Sequence, residues 1–302
     1  MKRWTLRIAA ALAGLALLAA AALAFALHRA DTRMARVLTL PAHPVALRDD
    51  AAAVARGRYL FESRGCADCH GHSGGGRRFI DDAKTGMHVA GPNISPGPGN
   101  VVAAYRAEDW ERTIRHGVKP GGRPLMVMPA DDFNRLTDDD LAALVAYVRH
   151  LPPVAGGPAT LDLPVPVRAL YGAGLIQDAA EKIDHALPPS QPVAEGVSVE
   201  HGRYVSMACQ GCHGATLSGG RIPGGPPDWP AAANLTPGEG SVLPRYGDVA
   251  AFKAMLRSGR RPDGSAVSSV MPIEALSKMN DTDVEAVYLY LHSVAPKAAG
   301  GR

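Results

Sequence analysis

Cysteine is scarce in this chain. Of 302 residues only four are cysteine, Cys66, Cys69, Cys209 and Cys212, and they fall in two tight pairs. With both pairs used as units, no thiol remains for a disulfide or a free nucleophile. A four-cysteine zinc site would need the pairs near one another, and 143 residues separate Cys66 from Cys209. Aromatic residues are also few, at 5%, which leaves a small domain short of bulky apolar filler. The formal charge of +3 gives no basis for nucleic-acid binding, and Arg77, Arg78 and Lys119 read as a solvated face. No strand pattern of any length stands out, so neither cysteine pair has the βαβ setting of a thioredoxin-like redox motif.

Both pairs carry the same neighbours: Cys66-Ala67-Asp68-Cys69-His70 and Cys209-Gln210-Gly211-Cys212-His213, each followed by glycine. Cys-x-x-Cys-His is the attachment signature of c-type haem. The two thiols form thioethers to the haem vinyl groups, and the adjoining histidine falls beneath the iron. The expected cofactors are therefore two covalently bound haem c groups, held by Cys66 and Cys69 and by Cys209 and Cys212. A buried porphyrin in each half would also offset the shortage of aromatic filler.

The other axial ligand can be sought by internal repetition. Iron in electron-carrying cytochromes is commonly held by His and Met, the thioether raising the potential. Met128 lies 62 residues after Cys66 and Met271 lies 62 after Cys209, and each precedes a proline. Five residues beyond stand Phe133 and Leu276. Leu136-Thr137-Asp138-Asp139-Asp140-Leu141 then aligns with Met279-Asn280-Asp281-Thr282-Asp283-Val284, and Tyr147 and Tyr290 each follow their methionine by 19 residues. The expected iron ligands are thus His70 with Met128 and His213 with Met271. Met126 is the nearest rival, but nothing in the second copy parallels it. Met87, Met207, Met255 and Met279 read as packing residues. His72, His88, His116, His150, His185, His201 and His292 read as exposed or hydrogen-bonding side chains.

Helical spacing predicts helices over Ala51 to Arg64, Glu108 to His116 and Asp138 to His150 in the first copy. In the second it predicts Glu200 to Ala208, Asp248 to Ser258 and Asp281 to Ser293. Gly-Arg-Tyr recurs in the leading helices (Gly57 to Tyr59, Gly202 to Tyr204), and Thr137 and Asn280 are natural N-caps ahead of acidic residues. Gly91-Pro92-Asn93-Ile94-Ser95-Pro96 and Asn234-Leu235-Thr236-Pro237 read as crevice loops. The divisions are an N-terminal anchor or signal over 1–30, a tether over 31–50, a first domain over 51–153, a Pro-rich linker over 154–196, a second domain over 197–296 and a tail over 297–302. The linker carries Leu161, Leu163, Val165, Leu170, Tyr171 and Ile176, too apolar for a free tether, with a short helix over Val167 to Ala180.

Ile8 to Leu27 is twenty residues without a charge, preceded by Lys2, Arg3 and Arg7. That length spans a bilayer as a helix and exceeds the apolar core of an ordinary signal peptide. An A-x-A-like site at Ala24 to Ala26 lies inside the apolar run, so an uncleaved anchor is favoured over a soluble periplasmic product. Arg29, Arg33 and Arg36 balance the basic residues on the other side, so charge does not set the orientation. Haem attachment does, because it is completed outside the bacterial cytoplasmic membrane.

With these motifs the chain resembles the dihaem cytochrome c proteins of bacterial periplasmic electron chains. It is especially similar to the cytochrome subunits of membrane-linked alcohol, gluconate and aldehyde dehydrogenases. The likeness runs from about residue 50 to 296. It rests on both Cys-x-x-Cys-His-Gly sites, Gly91 to Pro96, Arg261 to Gly264, Met-Pro followed by Leu136 to Leu141, and the linker segment Ala180 to His185. It implies an all-α chain with two tandem class I cytochrome c-like domains after one N-terminal transmembrane helix. It also implies electron relay from a partner dehydrogenase toward a cytochrome, an oxidase or the quinone pool, on the periplasmic side of the inner membrane. Those subunits typically carry three haem motifs and this chain has two plus an anchor, which leaves the partner open. The alternative is a dihaem enzyme of the peroxidase or thiosulfate dehydrogenase type. Two repeated methionines and the lack of a spare cysteine speak against it.

Overall fold

The computed structural model of the chain describes residues 2–41, 43–226 and 228–301; Met1, Ala42, Pro227 and Arg302, which fall within the expected segments, lie outside them. A 34-residue helix, α1 (Lys2–Ala35), leads the chain. The first haem-motif unit is built from α2 (Ala51–Ser63), α3 (Cys66–His70), α4 (Ala107–His116), α5 (Ala130–Phe133) and α6 (Asp138–Arg149). The linker contributes α7 (Val165–Gly172) and a single 3₁₀ turn over Ala180–Lys182. The second unit repeats the order of the first: α8 (Val199–Val205), α9 (Gln210–His213), α10 (Val249–Ser258), α11 (Ile273–Leu276) and α12 (Asp281–Ser293).

The all-α expectation needs one correction. Strands β1 (Arg77–Asp82) and β2 (Met87–Gly91) form an antiparallel hairpin with an irregularity between Arg78 and Ile80. A third strand, β3 (Thr160–Asp162), joins the far side of β2. These segments carry no alternating apolar pattern, and β3 pairs with a strand some seventy residues earlier, so periodicity could not reveal them. The linker therefore lends a strand to the first unit.

In each unit the leading and closing helices cross where a glycine lets the backbones touch. A Cβ on Gly57 would strike the backbone carbonyl of Ala143 and the Tyr147 side chain. A Cβ on Gly202 would strike the carbonyl of Ala286 and the Tyr290 side chain in the same way. This is the glycine of the repeated Gly-Arg-Tyr. Around the crossings lie two apolar cores. One contains Phe61, Trp110, Leu141 and Val145; the other contains Tyr204, Phe252, Val284 and Leu291.

The tyrosine of the same tripeptide joins the two units reciprocally. Tyr59 Oη donates to Asp283 at 2.6 Å and accepts from the Asn280 backbone N–H at 3.1 Å. Tyr204 Oη donates to Asp140 at 2.7 Å and accepts from the Thr137 backbone N–H at 3.2 Å. Thr137 and Asn280 are the N-caps of α6 and α12, and their side chains accept from the Asp140 and Asp283 N–H groups. Each tyrosine thus seats on the other unit's cap. Arg64 pairs with Asp283 at 2.7 Å, His201 Nε2 donates to it at 2.7 Å, and Arg56 pairs with Asp140 at 2.8 Å. The seam has the i-to-j, j-to-i character of a two-fold interface, here within one chain.

Asp283 is fully buried. Burial alone would raise its pKa, but Arg64, Tyr59 and His201 outweigh it and hold the carboxyl below its ordinary value. A depressed carboxylate contributes stability in full above its unfolded pKa, and loses it as pH falls through the folded value. The seam is accordingly expected to weaken from about pH 4 downward. Calorimetric melts should show Tm falling more steeply below that pH in the parent protein than in Asp283→Asn. Asp283→Ala should cost ~3–5 kcal/mol at neutral pH by stranding Arg64.

Candidate haem sites

The two Cys-x-x-Cys-His segments form short helices, α3 and the 3₁₀ turn Ser206–Cys209 running into α9. The glycine after each histidine has a conformation that a Cβ disfavours, with Gly71 at φ 73°, ψ 156° and Gly214 at φ 81°, ψ 161°. That turn brings Gly76 N–H back to the His70 carbonyl at 2.9 Å and Gly219 N–H to the His213 carbonyl at 2.8 Å. The final glycine of the motif is therefore a geometric need and not filler.

The histidines are oriented identically. His70 Nδ1 donates to the Pro92 carbonyl at 3.1 Å and His213 Nδ1 donates to the Ala233 carbonyl at 2.8 Å. A metal-bound imidazole characteristically gives its second N–H to such an acceptor, which fixes the tautomer and the ring. Burial lowers the pKa of His70, with the Pro92 bond acting the other way. A neutral ring with Nδ1 engaged is what an axial Nε2 ligand requires.

Burial also pushes the cysteine thiols up, Cys66 and Cys209 to about 12 and Cys69 to about 11. Thiols held neutral are poor metal ligands. Among the described residues no group of three His, Cys, Asp or Glu side chains is placed to hold a metal ion. The donor set fits thioether attachment of a porphyrin better than a thiolate site.

Met128 packs against the first core together with Cys66, and Met271 packs against the second together with Cys209. Met126 is half-buried but is not among the side chains packed on that core. The backbone after each methionine repeats closely, with Pro129 at φ −79°, ψ 62° and Pro272 at φ −77°, ψ 66°. Ala130 N–H and Ile273 N–H each return to the methionine carbonyl at 2.8 Å. Met255 and Met279 are buried in the second core, as packing residues should be. His72, His88, His116, His150, His185, His201 and His292 all make hydrogen bonds, His201 to Asp283 and His116 to Glu111 and His185 among them.

Sequence reasoning missed the clamp under each crevice loop. Asn93 Nδ2 donates to the Pro98 and Val154 carbonyls, and its Oδ1 accepts from Ser95 N–H and Oγ. Asn234 does the same with the Glu239 and Lys297 carbonyls and with Thr236 N–H and Oγ1. The loop that presents the histidine's acceptor carbonyl is thereby tied to the chain following the closing helix. The available signal was the repeated Asn-x-Ser/Thr-Pro. Arg261 bonds the Ser265 hydroxyl and the Ala266 carbonyl of its own turn.

The units also touch at their motifs. Asp132, on α5 just past Met128, accepts from Gly211 N–H in the second motif at 3.1 Å. Glu274, on α11 just past Met271, lies 3.3 Å from His72 and 3.4 Å from Arg77, beside the first motif. Each methionine turn thus leads into a helix that leans on the opposite haem motif.

Residues 54–152 match the cytochrome c family model. This part of the chain is a cytochrome c domain, and such a domain implies covalently bound haem c. Over most of its length the chain is similar to cytochrome subunits of dehydrogenases. The fructose dehydrogenase cytochrome subunit of Gluconobacter japonicus is 28% identical, across 87% of this chain and 57% of the relative. The gluconate 2-dehydrogenase cytochrome c subunit of Pantoea cypripedii is 28% identical, across 84% and 63%. The alcohol dehydrogenase (quinone) cytochrome c subunit of Gluconobacter oxydans is 25% identical, across 81% and 55%. The chain therefore spans somewhat over half the length of these relatives.

Asn234→Ala unties the Glu239 and Lys297 carbonyls and strands the buried Thr236 N–H, which costs about 1–3 kcal/mol when left unpaired. A lowered Tm is expected. Protease cleavage that opens the second unit before the first on warming would localise the loss.

Proposed function

We propose that the chain is a membrane-anchored electron relay carrying two haem c groups, one in each unit. Cys66 and Cys69 hold one haem, with His70 and Met128 as axial ligands. Cys209 and Cys212 hold the other, with His213 and Met271. The observation that carries this reading is the doubled histidine geometry, Nδ1 on a backbone carbonyl in both motifs. When bound, haem c supplies reversible one-electron chemistry.

The remaining work falls to the chain. The Asn93 and Asn234 clamps hold the loops that orient the histidines, and the methionine turns close the opposite faces. The tyrosine seam keeps the two units at a constant separation, so electron passage between them does not wait on domain motion. An iron held by both a histidine and a methionine would offer substrate no open position, which suits a carrier with no substrate chemistry of its own. Because the relatives are cytochrome subunits of dehydrogenases, the donor proposed here is a dehydrogenase subunit. The acceptor is a cytochrome, an oxidase or the quinone pool.

The anchor is α1. Its charge-free run is long enough to cross a bilayer, and its far end is folded into the protein. Ala30 is fully buried, Arg33 pairs with Glu181, and Arg36 pairs with Asp178 at 2.5 Å. A helix whose last turns complete the folded unit is suited to retention. The haem units then face the periplasm.

An optical redox titration of the detergent-solubilised chain tests the reading. Two reversible low-spin haems that ignore carbon monoxide are expected. Met271→His should lower one potential by an amount on the order of tenths of a volt, within the ~0.8 V that axial ligands command, while both haems stay attached. Carbon monoxide binding by the parent protein, or unchanged potentials in Met271→His, would refute the assignment.

A further inference from the structure

The linker between the units presents an apolar face that neither unit covers. Val165, Leu170 and Leu175 are 48%, 42% and 72% exposed, and Pro166 and Ala173 are exposed beside them. From Leu163 to Gln177 the only charged residue is Arg168. Its guanidinium is taken up by Asp31 at 2.6 Å. A run this apolar on a protein surface marks a contact with something other than water.

Its position along α1 identifies what that is. Gly172 has no room for a side chain because it lies against the Ala26 carbonyl and near the Ala30 backbone. Tyr171, fully buried, stacks under Arg33 at 4.3 Å and accepts from its guanidinium through the backbone carbonyl. Tyr171 Oη donates to Asp178 at 2.7 Å, and Arg36 pairs with the same carboxylate. Helix α7 is therefore locked to α1 at Ala26 to Arg36. The uncharged run ends at Leu27. The seat falls where a spanning helix passes from hydrocarbon into headgroups, and exposed Arg29 lies at the same level, where a cation meets lipid phosphate.

We propose that Leu163 to Gln177 is a membrane-surface shoulder, with Val165, Leu170 and Leu175 inserted into the headgroup and upper acyl region beside the exit of α1. Such shallow burial is how short apolar elements bind an interface. The linker is fixed to the first unit through β3 and through Ala179 N–H on the Leu125 carbonyl at 2.9 Å. A second point of membrane contact would therefore stop the haem pair from swinging about α1 and present one constant side to its redox partners. This rests on the reading of α1 as a membrane anchor.

The test uses the full, haem-loaded chain in vesicles of phosphatidylethanolamine and phosphatidylglycerol, with the motif thiols consumed by haem. A nitroxide is placed singly through Leu170→Cys, Leu175→Cys, Leu17→Cys in α1, and Leu289→Cys on the outer face of α12. Collisions with oxygen and with a water-soluble nickel complex are read by electron paramagnetic resonance. The expected result is that the Leu170 and Leu175 labels lose nickel collisions and gain oxygen collisions, as at Leu17 and unlike Leu289. If Leu17 is in lipid while both linker labels stay open to nickel, the shoulder is refuted and the anchor stands. If both linker labels lose collisions with both reagents, protein covers this face and the bilayer assignment falls. If the Leu17 label itself is open to nickel, the anchor reading fails and takes the shoulder with it.

Discussion

The arrangement of the molecule depends on two carboxylates held at helix N-termini and reached from the opposite unit. Asp140 and Asp283 occupy the third position of α6 and α12, where the helix dipole already favours negative charge. Each also receives a tyrosine hydroxyl across the seam, and that hydroxyl takes up a cap N–H in return. Desolvating a carboxylate is unfavourable unless its lone pairs are used. Here Arg64, Tyr59 and His201 use those of Asp283, and Arg56 and Tyr204 use those of Asp140. A small displacement of either unit would open several charge-assisted bonds at once. The seam therefore has one register, in contrast to a purely apolar contact that could slide.

That register matters because of what lies beside it. The tyrosines sit on the helices that lead into the haem motifs, and the aspartates on the helices that follow the methionine turns. One set of bonds thus reports on both faces of both sites. The contacts of Asp132 with the second motif and of Glu274 beside the first extend the same crossing. Rigid juxtaposition of the two units follows from the local geometry without any added element, because the same helices that close each crevice also build the interface.

Much of this was legible in the sequence, and for a definite reason. Features that recur at constant offsets, such as Cys-x-x-Cys-His, the Met-Pro turns and the N-caps Thr137 and Asn280, reflect local backbone requirements repeated in each half. The helices they delimit lie within a residue or two of where spacing puts them, apart from the last turn of α8, which tightens to 3₁₀ ahead of Cys209. What could not be read depends on partners distant in the chain. Strand β3 exists only because β2 offers it an edge. Tyr59 and Tyr204 were visible as a repeated tripeptide, yet their targets lie 224 and 64 residues away. The asparagine clamps escaped notice because Asn in a Pro-rich loop ordinarily bonds its own turn, and here it also reaches Val154 and Lys297.

The pseudo-symmetry of the seam is not shared by the tethers. After α1 the chain is strapped along the first unit, with Leu38 N–H on the Gly122 carbonyl, Val45 N–H on the Ala107 carbonyl and Asp49 on Arg149. The linker adds β3 and the Leu125 contact to that same unit. The first unit thus carries both straps, and the two units, alike in their motifs, stand in unlike surroundings. A symmetric pair of sites would have no preferred order of filling. Unequal surroundings allow unequal potentials and unequal access, since burial and nearby hydrogen bonds tune haem iron alongside its ligands. In a relay, that asymmetry is what would let one site serve the donor and the other the acceptor.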